Sequence, residues 1–209
     1  MILMCGGAFG VVSWRDANAV ASVVSLDVNP SIELQVNQKE RVLSARPLNE
    51  DAQVILDGMD LKGTSLNVAV NAIVGSLLQN GYLDSLSSAI LISVEDNDTQ
   101  RAARLESSLT AEVDAALQNA SAGAAILSQV VTYDAGLQTQ AQASNISVGK
   151  AALIQQVQAI NSALDFNDLA ALSVEELDQL REIGAPQLPI GASAAAAAAS
   201  ATTISGQLK

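Results

Sequence analysis

Residues 23–34 read Val-Val-Ser-Leu-Asp-Val-Asn-Pro-Ser-Ile-Glu-Leu, two alternating apolar segments that meet at the dipeptide Asn29-Pro30. Apolar residues recur at every second position on each side of this dipeptide: Val24, Leu26 and Val28 before it, and Ile32, Leu34 and Val36 after it. Such alternation predicts two β-strands. An Asn-Pro pair between two strands is typical of a turn. The stretch therefore predicts two antiparallel strands joined at Asn29-Pro30.

The rest of residues 20–133 predicts an α+β domain. Residues 41–46 alternate again and complete an antiparallel meander. Asn49 and Asp98 are candidate N-caps of helices, and residues 66–78 have apolar positions at helical spacing. Residues 89–94 and 124–132 are apolar runs that favour two further strands, the first of them central in the sheet. This order of elements predicts an antiparallel sheet with helices packed on one face.

Two further segments follow this domain. Residues 134–185 predict a helical C-terminal extension, in which Ser173 and Glu176 match a capping box. Residues 186–209 form a low-complexity tail rich in Ala and Ser, with no apolar pattern to pack. We expect this tail to act as a linker or an unstructured end.

The N-terminal segment is uncharged from Met1 to Trp14. A membrane-spanning helix needs about 20 apolar residues, and a signal peptide needs a basic region before its apolar core. Neither pattern is met. We expect residues 1–16 to be the outer half of a transmembrane helix that begins before this sequence, with Trp14 at the interface. The alternative is a buried or disordered N-terminal segment.

Composition excludes several classes of function. The chain has 22 acidic and 10 basic residues, a net charge of −12. Nucleic acids are bound through clusters of Lys and Arg, and none is present, so we expect no nucleic acid partner. The chain has no His and a single Cys, Cys5, which removes the usual general base and the usual zinc ligands. We expect no metal, no cofactor and no turnover enzyme.

Two short motifs contain residue types that are found in binding sites. Residues 58–64 resemble a phosphate-binding loop, but Lys62 precedes the second Gly instead of following it. Residues 95–98 (Glu-Asp-Asn-Asp) concentrate oxygen ligands that could bind calcium or serve a hydrolase. This second segment lacks the Gly and the distal Glu of an EF-hand, and a solvated turn with a helix cap is the favoured interpretation.

Asn29-Pro30 could also be a site of self-cleavage. Pro30 has no hydroxyl, so an N-to-O acyl shift is impossible. The remaining internal nucleophile is the carboxamide nitrogen of Asn29, which could attack its own carbonyl and release Pro30 as a new N-terminus. The nucleophile and the electrophile belong to one residue, so they are inherently close. On chemistry alone, a simple turn remains the favoured alternative.

The segment from Val23 to Leu34 resembles the start of the extracytoplasmic domain of RsgI-type anti-sigma factors of Gram-positive bacteria. Later segments are also similar to that family, in the same order: residues 37–42, 49–51, 58–63 (Gly-Met-Asp-Leu-Lys-Gly), 81–83, 90–94, 146–151 and 172–177. The likeness covers roughly residues 20–183. Its core is the Asp-x-Asn-Pro-Ser motif that ends at Ser31, a residue to which we assign no chemical role.

This resemblance implies a single-pass membrane protein whose outer, SEA-like domain senses external conditions. It implies self-cleavage between Asn29 and Pro30, with the two pieces held together until they separate. A downstream intramembrane protease would then release an alternative sigma factor, bound through a cytoplasmic domain missing from this sequence. The alternative is a cell-surface interaction module that is not cleaved and in which Asn29-Pro30 is only a turn.

Overall fold

The alternating segments on either side of Asn29-Pro30 form the first two strands of a five-stranded sheet. The structure is a computed structural model that describes residues 18–83 and 88–183. The strands are β1 (Ser22–Asp27), β2 (Ser31–Val36), β3 (Val42–Pro47), β4 (Ala89–Asp96) and β5 (Ala125–Val131). Their order across the sheet is β3-β2-β1-β4-β5. β1 therefore lies in the middle, paired with β2 on one side and β4 on the other.

Three helices cover the first face of the sheet: α1 (Glu50–Leu56), α2 (Leu66–Gln79) and α3 (Thr99–Asn119). Each begins at a residue whose side-chain oxygen accepts a hydrogen bond from the first turn: Asn49, Ser65 and Asp98. Apolar side chains of these helices pack with those of β1, β2 and β4 in one continuous core. Val24 and Leu26 of β1 are almost fully buried in this core, which fixes the register of the central strand.

Four helices of the C-terminal extension pack on the second face: α4 (Ala135–Ala143), α5 (Val148–Ile160), α6 (Phe166–Ala170) and α7 (Val174–Glu182). They form a second core with Ala89 and Leu91 of β4 and with two residues of β5. Beneath α5 the sheet presents small side chains. An added Cβ on Gly149 would lie 2.1 Å from the Ser93 hydroxyl oxygen and 2.8 Å from that of Ser25. Helix α5 therefore lies directly on the middle of the sheet.

Substituting Gly149 by Ala is expected to destabilise the fold by about 1–3 kcal/mol, because the new methyl group overpacks this contact. Gly75→Ala is the matched control, since a Cβ there meets nothing within 4 Å in the middle of α2. That control should instead gain up to about 1 kcal/mol from helix propensity. Chemical denaturation would measure both changes. An unchanged midpoint for Gly149→Ala would contradict the close packing of α5.

The α+β class, the antiparallel meander, the central position of β4 and the capping box at Ser173 are confirmed. One strand pair differs from the expected antiparallel sheet, because β4 and β5 are parallel. The long helix α3 connects them, and a helical crossover returns the chain in the same direction. The pattern of residues alone does not place the C-terminal extension, which in the structure covers the face opposite α1–α3.

Two interpretations of the termini concern residues that the structure does not describe. They are the truncated transmembrane helix at residues 1–16 and the Ala/Ser-rich tail at residues 186–209. Among residues 18–83 and 88–183, no helix combines the length and the apolar character needed to cross a membrane.

Candidate functional site at the β1–β2 junction

Asn29 occupies the apex of the connection between β1 and β2. Asp27 and Ser31 are the last paired residues of the two strands, and the Val28 N–H donates to the Pro30 carbonyl at 2.8 Å. Only Asn29 remains between these hydrogen-bonded residues, and its φ is 136°. A positive φ is unusual for any residue other than Gly, and such backbone strain costs on the order of 1–3 kcal/mol. The strain therefore lies in the backbone of the residue that immediately precedes the Asn29-Pro30 peptide bond.

The two residues of the junction differ in their surroundings. Asn29 is exposed, whereas Pro30 is buried. Pro30 cannot donate the backbone hydrogen bond that would complete the pair with Val28, because its ring nitrogen has no hydrogen. The bond thus joins an exposed residue to a buried one.

Asn49 connects the junction to helix α1. Its Oδ1 accepts hydrogen bonds from the backbone N–H of Ala52 at 3.0 Å and from that of Ser31 at 3.3 Å. Its Nδ2 donates to Oδ1 of Asn29 at 3.3 Å. One side chain therefore caps a helix and contacts residues on both sides of Pro30.

Asp27 is a buried carboxylate two residues before Asn29. Its Oδ2 accepts a hydrogen bond from the Ser147 hydroxyl at 2.5 Å, and its Oδ1 has no hydrogen-bond partner among the described residues. Burial raises the pKa of Asp27 to about 6, although hydrogen bonds from Ser147 and Ser31 and the charge of Lys150 oppose the rise. The charged form of this group is thus poorly compensated.

The charge of Lys150 favours the ionised form of this carboxylate. Its Nζ donates to the carbonyl of Ala170 at 3.0 Å. Burial lowers the pKa of Lys150, while Asp27 and Glu176 act in the opposite direction. Ser147 is the N-cap of α5 and Lys150 lies in its first turn, so α5 supplies two of the polar groups that act on Asp27.

The three carboxylates of the acidic turn at residues 95–98 make structural contacts. Asp96 accepts two hydrogen bonds from Arg101, at 2.6 and 2.7 Å, and one from Ser22. Burial would raise its pKa, but these hydrogen bonds outweigh burial and lower it. Asp98 caps α3 and Glu95 accepts from Gln138 at 3.0 Å. Within the described residues, no group of three or more His, Cys, Asp or Glu side chains is placed to hold a metal.

The structure places Asn29 and Pro30 together at the tip of the hairpin, where the alternating pattern locates them. Sequence reasoning missed three neighbours of the junction. Asn49 carries a signal only as a helix cap, and Asp27 shares its face of β1 with Val23 and Ser25, a pattern that does not single out the carboxylate. Ser147 is 120 residues away from Asp27 in the chain, and no local pattern predicts that contact.

Comparison with known proteins assigns the family. The model of the anti-sigma factor RsgI-like central domain matches residues 21–156, which is well over half of the chain. The chain therefore belongs to the RsgI-like anti-sigma factor family. It is 35% identical over 81 residues to anti-sigma-I factor RsgI9 of Acetivibrio thermocellus, covering 39% of this chain and 12% of that protein.

Other relatives match more of the chain at lower identity. Anti-sigma-I factor RsgI5 of Acetivibrio thermocellus is 23% identical over 165 residues, covering 76% of this chain and 34% of the relative. Anti-sigma-I factor RsgI of Bacillus subtilis is 25% identical over 92 residues, covering 42% of this chain and 24% of the relative. The chain thus spans between about an eighth and a third of the length of these three proteins.

Proposed function

We propose that this chain is the extracytoplasmic sensing part of a membrane-anchored, single-pass anti-sigma factor that cleaves itself once between Asn29 and Pro30. The observation that carries the proposal is the strained apex, where Asn29 alone, with φ of 136°, separates hydrogen-bonded Val28 and Pro30. Membership of the RsgI-like family supports the anti-sigma role. Residues 20–133 would form the sensing domain and residues 134–185 a helical layer against it.

The reaction is an intramolecular substitution at the carbonyl carbon of Asn29. Its Nδ2 forms a bond to that carbon, the bond from the carbon to the nitrogen of Pro30 breaks, and the proton lost by Nδ2 is transferred to that nitrogen. The products are a C-terminal succinimide on the first piece and a free secondary amine at Pro30. No water is consumed in this step, and each chain reacts once, so the protein is not a turnover enzyme.

The fold would keep the two pieces together after the cut. β1 belongs to the first piece, yet it is paired with β2 and β4 of the second piece along its whole length. Its Val24 and Leu26 are buried at 0% and 1% exposure, and burying each such side chain contributes about 1.5–3 kcal/mol. The cut therefore leaves the sheet and its core in place.

The signalling role follows from this arrangement. Loss of the first piece from the sheet would leave a short membrane-bound stub for a downstream intramembrane protease. Proteolysis of the stub would free an alternative sigma factor, held by a cytoplasmic domain of the anti-sigma factor. The partners in this proposal are the membrane, the protease and the sigma factor, with no nucleic acid bound by this chain.

Mass spectrometry of the purified full chain tests the proposal. We expect two pieces that co-elute under native conditions and separate on a denaturing gel, the second beginning at Pro30. The masses of freshly formed pieces should sum to that of the intact chain, whereas a contaminating protease would add one water. A single full-length band in fresh and aged samples would overturn self-cleavage and favour an interaction module with a simple turn.

A further inference from the structure

The side chain of Asn49 is held in a single orientation by its partners. Its Oδ1 accepts hydrogen bonds from the backbone N–H groups of Ala52 and Ser31, at 3.0 and 3.3 Å. Backbone N–H groups only donate, so the atom that faces them must be the amide oxygen. The amide nitrogen of Asn49 must therefore face the opposite way, toward Asn29.

This orientation also determines how the carboxamide of Asn29 is turned. Asn49 presents an N–H donor to it at 3.3 Å, and only the oxygen of the Asn29 amide can accept that hydrogen bond. The nucleophilic Nδ2 of Asn29 is then directed away from Asn49. The first turn of α1 thus orients the Asn49 side chain, and Asn49 in turn determines which atom of the Asn29 carboxamide can react.

The same hydrogen bond favours the chemical step. When Nδ2 of Asn29 loses its proton, the negative charge is shared with Oδ1 of the same amide. The hydrogen bond from Nδ2 of Asn49 to that oxygen strengthens as the charge develops. Such preorganised donors stabilise transition states more than ground states. Asn49 also holds the N–H of Ser31, the residue after Pro30, so it fixes both sides of the bond.

We propose that Asn49 is the positioning residue for cleavage at Asn29-Pro30, orienting the Asn29 carboxamide and stabilising the charge that forms on its oxygen. This inference rests on the proposed self-cleavage. It gives Asn49, the N-cap of α1, a second role that capping the helix does not require.

Asn49→Asp separates the two tasks of this side chain. Asp is as good an N-cap as Asn and still accepts from Ala52 and Ser31, but it has no donor for Asn29. The variant should refold with the unfolding midpoint of the wild type. Its cleavage should be slower by roughly tenfold to a hundredfold, the loss expected for a hydrogen bond to a charged group. Asn49→Ser, a cap without an amide, is a second variant and should be slowed similarly.

The experiment follows the full chain on denaturing gels after refolding from denaturant at a series of pH values. Ser65→Ala is the matched control. The Ser65 hydroxyl caps α2 by accepting a hydrogen bond from the Val68 N–H at 3.4 Å, and its removal leaves the contacts of Asn29-Pro30 unchanged. Ser65→Ala should lose stability and cleave at the wild-type rate. In Asn49→Asp, the deficit relative to wild type should shrink at acidic pH, where the introduced carboxyl regains a proton to donate.

The possible outcomes distinguish a positioning role of Asn49 from self-cleavage itself. If the wild type cleaves and both position-49 variants cleave at its rate, Asn49 has no positioning role while self-cleavage stands. If Ser65→Ala slows cleavage as much as Asn49→Asp does, loss of stability alone accounts for the effect and the inference fails. If the wild type remains intact, both the inference and the proposed function are wrong.

Discussion

Replacing Asn29 by Gly is expected to give a folded chain that is never cut. The substitution removes the only nucleophile that belongs to the junction. A nucleophile tethered in this way has an effective concentration on the order of 10⁵–10⁸ M, so its loss should slow cleavage by a factor of roughly a thousand or more. Gly adopts a φ of 136° without steric cost, so the hairpin should form at least as readily as in the wild type.

Glycine makes this experiment sharper than alanine does. Asn29→Ala also removes the carboxamide, but it forces a Cβ into a positive-φ conformation and would mix loss of chemistry with loss of stability. Asn145→Gly provides a matched control, since Asn145 is also exposed, has a φ of 52° and precedes Ile146 rather than a proline. The control should cleave as the wild type does. Two pieces from Asn29→Gly, with Pro30 at the second N-terminus, would exclude Asn cyclisation.

The largest effect on stability is expected from the ionisation of Asp27. Its pKa is about 6 in the folded chain and 3.8 when unperturbed, and burial is the main cause. The folded state therefore favours the protonated form, so this group's contribution to stability is complete below pH 4 and is lost as pH rises through 6. The difference of about two pKa units corresponds to about 3 kcal/mol. Glu33 adds repulsion to Asp27 and Lys150 adds attraction.

Asp27→Asn should remove this dependence. The amide has nearly the same shape and can still accept the Ser147 hydrogen bond, but it carries no charge to desolvate. We expect a gain of about 1–2 kcal/mol at pH 7.5 and a loss of about 1 kcal/mol at pH 4. The loss at pH 4 arises because one polar atom of the amide remains buried without a partner. Denaturation of both chains between pH 4 and 8, each carrying Asn29→Gly to prevent cutting, would measure the difference.

Asp60→Asn controls for the change in net charge, since it removes a carboxylate from the exposed loop before α2. Destabilisation of Asp27→Asn at pH 7.5 would contradict the prediction. It would mean that the attraction between Asp27 and Lys150 outweighs the cost of burying the carboxylate.

Local patterns predicted much of the fold. The alternation around Asn29-Pro30 places two strands because one face of each is buried, and period-two burial leaves a direct trace in the residues. The nearly continuous apolar run at residues 89–94 has a related cause, because Ile90 and Ile92 face one core while Leu91 faces the other. The helix caps at Asn49 and Asp98 were predictable for the same reason, since a cap is a contact within one turn.

Contacts between distant segments left no such trace. The approach of α5 to the sheet depends on the small side chains of Ser25 and Ser93 beneath Gly149. Each of these residues is ordinary in its own segment. The bond between Asp27 and Ser147 joins two such segments. At the candidate site, the dipeptide Asn29-Pro30 could be identified from the sequence, whereas the groups that surround it could not.

The central position of β1 has a mechanical consequence for a chain cut after Asn29. Tension applied along the axis of β1 loads the hydrogen bonds of both neighbouring ladders at the same time. The strand can slide out only when many of these hydrogen bonds break together, so a brief or weak force leaves it paired in the sheet. An edge strand peeled sideways would instead lose its bonds one pair at a time. The sheet order thus gives the severed strand a high rupture threshold along one direction.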